Sequence, residues 1–221
     1  MKVSFPKDVL SPRTCFKLLK RGFFIPRERD MKMKITTRKM TETAVMLALA
    51  TVLSLLTIAG LPFGGSVTPM SMVPILVICF RYEKAWGFLT AFLFGLIQAA
   101  ISFGTVAGWG MTWQSLVGCI LLDYVLAYSC LGIAGLFRKG KWNVTTGTLV
   151  AMLLRYSLHV LSGVVIFGAW MVEDIVKLVG DDIYIYSLAY NIIFMGPELL
   201  LTLLGSLFIP RILRAVNGAS A

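Results

Sequence analysis

Arg155-Tyr-Ser-Leu-His159-Val-Leu-Ser-Gly163 decides how the chain is read, because it lies inside a run from Val144 to Trp170 dominated by Leu, Val, Met, Ala, Ile and Phe. Such a run is long enough to cross a bilayer, whose hydrocarbon core takes about 20 apolar residues. It nonetheless carries an arginine and the chain's single histidine. Four residues apart, Arg155 and His159 share one face of a helix, at a depth where charge is costly and usually functional. The rest of the sequence is read as what this face looks at.

Around that run, 57% of the 221 residues are hydrophobic and 14% charged, and several further apolar runs approach or exceed spanning length. The chain reads as an all-α membrane protein, and a large soluble core is excluded. The net charge of +10 suggests nucleic acid only until it is located: Met1 to Met40 holds twelve Lys/Arg against three Asp/Glu, and the remainder nine against eight. Basicity confined to a tail marks a cytoplasmic, lipid-facing segment, so nucleic acid is set aside. Cys15, Cys79, Cys119 and Cys130 show neither a close pair nor a metal spacing and read as reduced thiols. One histidine without H-E-x-x-H cannot build the familiar metalloprotease site, so neither a metal nor a cofactor is expected.

Residues 1–40 carry no signal-type apolar stretch, being interrupted by Pro6, Pro12, Pro26 and charges. They form a basic tail, disordered or interfacial, and Met31, Met33 and Met40 leave an internal natural start open. A membrane domain over 41–214 follows, then a C-terminal tail, 215–221. Its first span covers about Thr41 to Ala59, with Thr41 or Thr43 as cap and Gly60, Pro62, Gly64 and Gly65 ending it. Ala44 and Ala48 place small residues on one face of it. The second, Ser71 to Phe80, is too short to cross unaided and needs shielding by neighbours. In the third, Ala85 to Phe103, the stripe Gly87, Ala91, Gly95 and Ala99 predicts close helix packing. The fourth, Trp113 to Phe137, holds Asp123 ten residues in, roughly 15 Å deep. The fifth is the opening run. The sixth, Ile183 to Phe208, carries Tyr184, Tyr186, Tyr190, Asn191 and Gly196-Pro197-Glu198, with a kink expected at Pro197. Together these predict a six-helix transmembrane bundle.

Lys and Arg occur in the N-terminal tail, at Arg81 and Lys84, at Arg138, Lys139 and Lys141, and at Arg211 and Arg214; the loops 60–70 and 104–112 have none. The charged segments, and both termini, are therefore expected to be cytoplasmic. Glu173, Asp174, Asp181 and Asp182 then face outside.

Asp123, Arg155, His159 and Glu198 are the ionisable residues at membrane depth and require partners or a polar cavity. One reading is a structural network, with Arg155 paired to Asp123 or Glu198. The other is a cavity: Trp113, Tyr124, Tyr186, Tyr190 and Asn191 cluster on the outer halves of the same helices. A carboxylate, aromatic faces and an amide suit a small, flat cation, each ring contributing about 0.5 to 2 kcal/mol when desolvated. An interfacial belt accounts better for Tyr184. An intramembrane acid/base enzyme using Asp123, His159 and Glu198 is the competing class, weakened by the lack of a nucleophile or metal motif. Gly135-Leu-Phe-Arg-Lys-Gly140-Lys141 mimics a phosphate loop, but Trp142 replaces the required Ser/Thr and no strand precedes it. The chain thus has no visible energy source of its own.

G-G-S-V-T at Gly64 to Thr68, L-D-Y-V-L-A at Leu122 to Ala127, R-Y-S-L-H-V-L-S-G at Arg155 to Gly163, and Y-S-L-A-Y-N followed by M-G-P-E at Tyr186 to Glu198 resemble, in order, the thiamine-specific S-component of energy-coupling factor transporters. The resemblance covers about Thr41 to Arg214. It implies a non-catalytic, multi-pass subunit of a prokaryotic plasma membrane that captures thiamine from outside, while a transmembrane coupling subunit and two cytoplasmic ATPases supply the energy. It also implies ligand-contacting roles for Asp123, as partner of the thiamine cation, and for Tyr124, His159, Gly163, Tyr186 and Asn191. Arg155 takes the place of a basic residue and Trp113 that of an aromatic near the acid; Ala44 and Ala48 match a motif contacting the coupling subunit. Gly65 and Phe167 stand where tryptophans are expected, with Trp170 three residues beyond the second. Another vitamin on the same scaffold is the alternative within the class.

Overall fold

The computed structural model describes residues 35–61, 64–138, 143–168 and 170–218. The tail up to Lys34, with Cys15, Met31 and Met33, the loop residues Lys139, Lys141 and Trp142, and the end of the C-terminal tail lie outside the described residues.

Helix α1 (Thr37–Leu55) starts earlier than the expected Thr41, because Thr36 is the cap: its backbone is extended and its side chain accepts from the Lys39 amide at 3.3 Å. Thr41 and Thr43 instead bond back to the carbonyls of Thr37 and Lys39, at 3.0 and 2.8 Å, as hydroxyls inside a helix do. The helix also ends short of Ala59, since Ala59–Gly60 (β1) pairs antiparallel with Ser66–Val67 (β2) in a small ribbon.

Helix α2 (Val73–Arg81) has nine residues, too few to span, and Ile75 to Phe80 are all buried by neighbouring helices. It packs on α3 (Lys84–Gly108), whose stripe Gly87, Ala91, Gly95 and Ala99 is buried throughout. A Cβ added at Gly95 would lie 2.9 Å from the carbonyl oxygen of Tyr124, so only glycine lets α3 approach the next helix so closely.

That next helix, α4 (Trp113–Phe137), is not uniform. It is α-helical over Trp113–Cys119, π-helical over Ile120–Leu126, α-helical for one turn at Ala127–Ser129, and 3-10 from Cys130 to Phe137. Asp123 sits in the middle of the widened π segment, a conformation that recurs at functional sites. Helix α5 (Asn143–Val165) carries Arg155 and His159. A short α6 (Glu173–Val179) precedes α7 (Ile183–Ser206), which contains Pro197 and is capped by Asp182, whose Oδ1 accepts from the amides of Tyr184 and Ile185 at 2.9 and 3.0 Å. Helix α8 (Ile209–Gly218) follows and includes Arg211 and Arg214.

Among the described residues, four helical stretches are long and apolar enough to cross a membrane: Lys84–Gly108, Trp113–Phe137, Val144–Val165 and Ile183–Val216. Their inner faces meet around Phe94, Leu131, Met152 and Met195, while Leu93, Leu121, Leu153 and Leu200 point outward. At one end the basic segments interlock. Lys39, 2% exposed, bonds Glu83 and lies 4.3 Å over the Trp86 ring; Arg81 pairs with Glu42 at 2.8 Å; Arg138 donates to the carbonyls of Tyr82 and Arg81. Burial would raise the Glu83 carboxyl, but the hydrogen bond and charge of Lys39, with Arg138 nearby, hold it below the usual carboxylate range.

Candidate functional site

Away from that basic end, the helices and the β1–β2 ribbon enclose a cavity of about 300 Å³. Its charged groups form two pairs. Asp123 on α4 faces α5, where His159 Nδ1 lies 2.8 Å from Oδ1 and the Ser162 hydroxyl donates to Oδ2. His159 and Ser162 are three residues apart and so share a helical face, holding both oxygens of one carboxylate. An imidazole that donates from Nδ1 presents Nε2 as an acceptor, and Nε2 is buried without a hydrogen bond. The second pair joins α5 to α7: Arg155 donates to Glu198 Oε2 at 3.0 Å, both side chains being nearly sealed from solvent. The structural network and the cavity foreseen from sequence therefore coexist, with Arg155 taking Glu198 and Asp123 taking His159.

Aromatic rings surround these pairs. Tyr186 stacks on Tyr190, with centroids 6.0 Å apart and planes at 23°, and its hydroxyl accepts from the Val172 amide at 2.8 Å. Phe194 meets both Tyr190 and His159 edge-on. Tyr124 and Tyr128 line the α4 wall. Asn191 spends its amide nitrogen on the Ser187 carbonyl, at 2.8 Å, leaving its amide oxygen as an acceptor. Gly163 lines the cavity beside them; a Cβ there would fall 2.1 Å from Ser187 Oγ, so glycine is required where α5 and α7 touch.

Asp123, Tyr124, Arg155, His159, Gly163, Tyr186 and Asn191 are thus brought to one cavity. Trp113 is not. It is 73% exposed and absent from the lining, which corrects its expected place as an aromatic wall. As the first residue of α4, it stands ten residues before Asp123, at the end of the helix rather than beside the acid. Two other tryptophans line the cavity, Trp170 and Trp109; the latter C-caps α3 and contacts Phe167 edge-on at 6.0 Å. It covers Gly64, whose φ of +95 favours glycine and whose added Cβ would be 2.9 Å from the indole. Sequence reading missed Trp109, Ser162 and Phe194. For Trp109 the available signal was the lack of a tryptophan at Gly65. Tyr184, 64% exposed and outside the cavity, has the position of an interfacial residue.

Ala44 and Ala48 are elsewhere, on an outward face of α1. The far end of the same helix reaches the site: Ser54 and Leu55 line the cavity, and Ser54 Oγ accepts from Gln98 Nε2 at 2.8 Å.

The family model described as thiamine transporter protein matches residues 40–216. The thiamine transporter ThiT of Bacillus subtilis is 34% identical over 178 residues, covering 74% of this chain and 85% of its own. The fold resembles the solved structure of ThiT from Listeria monocytogenes, with a TM-score of 0.56 at 22% identity, over 80% of this chain and 94% of that one. The sequence is that of a multi-pass plasma-membrane protein, and the role of its relatives is transport, which is not enzymatic.

Proposed function

The chain belongs to the thiamine transporter protein family, and from that premise we propose that it is the capture subunit of an ATP-driven importer. It binds thiamine tightly from outside and passes it inward with a separate transmembrane coupling subunit and two cytoplasmic ATPases. The observation that carries this reading is the cavity in which a carboxylate, Asp123, lies among aromatic rings. A permanent thiazolium cation needs a counter-charge where water is scarce, and the rings of Tyr124, Tyr186, Tyr190 and Trp109 supply faces for a flat ligand. His159 Nε2 and the Asn191 amide oxygen are acceptors suited to an aminopyrimidine.

Six membrane helices, α1 to α5 and α7, with both termini cytoplasmic, complete the proposal. Its support is the clustering of Lys39, Arg81 and Arg138 at the end remote from the cavity, an arrangement that agrees with an outward cavity under the positive-inside rule. The outward Ala44 and Ala48 face gives the coupling subunit a surface for close helix packing. Proteoliposomes test the division of labour. The purified chain alone should bind thiamine without concentrating it, and ATP-dependent uptake should require the coupling module; ATP-independent accumulation by the chain alone would overturn the proposal.

A further inference from the structure

Four groups that carry charge near neutral pH line the cavity among the described residues: Asp123, Arg155, His159 and Glu198. With the imidazole neutral, two carboxylates face one guanidinium, leaving one net negative charge. A monovalent cation balances that charge.

The weak point of such a site is Arg155. A guanidinium offers five donors in a planar fork matched to phosphate and carboxylate, and it does not lose its proton. Arg155 is 4% exposed, and its Nε is buried with no hydrogen-bond partner. Its other contacts are soft: Met72 Sδ lies 2.9 Å from one terminal nitrogen, and the Tyr128 ring is 4.5 Å from the guanidinium carbon. Left uncompensated, it would make the cavity floor an anion site.

Glu198 prevents this. One of its oxygens accepts from Arg155 at 3.0 Å, and the other accepts from the Thr68 hydroxyl at 2.9 Å, itself bonded to Ser71 at 2.7 Å. Held at both oxygens, the carboxylate is directed at Arg155. We propose that Glu198 is a specificity-determining residue. By neutralising Arg155 within the cavity, it makes the site prefer a thiazolium alcohol to the phosphate monoester of the same alcohol. This rests on the reading that thiamine is the ligand.

A latch that merely held α5 to α7 would scale the affinities for both ligands together. A charge filter changes their ratio, and the sign depends on which partner is removed. Wild type, Glu198→Gln, Arg155→Gln and the double variant Arg155→Met/Glu198→Met are titrated calorimetrically with thiamine and with thiamine monophosphate. Glu198→Gln should lower the preference for thiamine by about tenfold or more, Arg155→Gln should raise it, and the double variant should stay near the wild-type ratio, whatever happens to absolute affinity. If Glu198→Gln does not fold, the other two variants decide. An unchanged preference in either single variant that binds, or a double variant that accepts the ester as readily as thiamine, would overturn the filter. Failure of wild type to bind thiamine would instead refute the underlying functional reading.

Discussion

Asp123 and His159, on different helices and 36 positions apart, are joined by a 2.8 Å contact between Oδ1 and Nδ1. The carboxylate fixes the imidazole, the imidazole and Ser162 fix the carboxylate, and His159 Nε2 remains without a hydrogen bond. On the proposed function, the site is preorganised around one negative charge and one directed acceptor, which limits the ordering cost of binding.

Asp123→Asn should abolish measurable thiamine binding while the protein still elutes as a folded species. The substitution removes the counter-charge in a water-poor cavity but keeps an oxygen for His159 or Ser162. Wild-type affinity in this variant, read by calorimetry, would sink the assignment.

His159→Asn should retain the link to Asp123 through its amide nitrogen and lose the acceptor at Nε2. Affinity should fall by about tenfold, the value of one directed hydrogen bond. Thermal stability, followed by light scattering on heating, should hardly move.

Gly163→Ala should destabilise the protein by about 1–3 kcal/mol, because a methyl group would meet Ser187 Oγ at 2.1 Å. Adding Ser187→Ala removes that oxygen and should recover part of the loss. Equal melting temperatures for the single variant and wild type would show that α5 and α7 have room to separate.

Trp109 and Trp113 are four residues apart, yet one lines the cavity and the other is exposed. Trp109→Phe should remove part of the fluorescence change caused by thiamine, the remainder belonging to Trp170, which also lines the cavity, whereas Trp113→Phe should leave it. The reverse pattern would restore Trp113 to the site.

Ala44→Leu with Ala48→Leu should preserve thiamine binding but stop uptake and co-purification with the coupling subunit. Both alanines face outward, and Ser54, the nearer of the two cavity-lining residues of the same helix, lies ten residues from Ala44 and six from Ala48, roughly 15 and 9 Å along the axis. Normal uptake by the double variant would remove docking from this face.

Periodicity and length made the helices legible, and the stripe from Gly87 to Ala99 foretold which face of α3 packs. The charged residues Asp123, Arg155, His159 and Glu198 were visible because charge inside an apolar run demands a partner. Which partner each takes was not visible: the pairing depends on the axial rotation of α4, and the π segment over Ile120–Leu126 changes that rotation without a mark in residue types. Thr36 was overlooked as the cap because Thr41 and Thr43 are equally good candidates by type, and only the path of the preceding backbone separates them. Trp113 was misplaced because closeness along the chain stood in for closeness in space.

The central claim is that this cavity is a thiamine site, and direct titration of the purified protein tests it. Thiamine, riboflavin and biotin are added separately while tryptophan fluorescence is followed. Saturable quenching by thiamine alone is the predicted result, since Trp109 borders the cavity. Saturation by riboflavin or biotin with no response to thiamine, or no response to any of the three, would contradict the account.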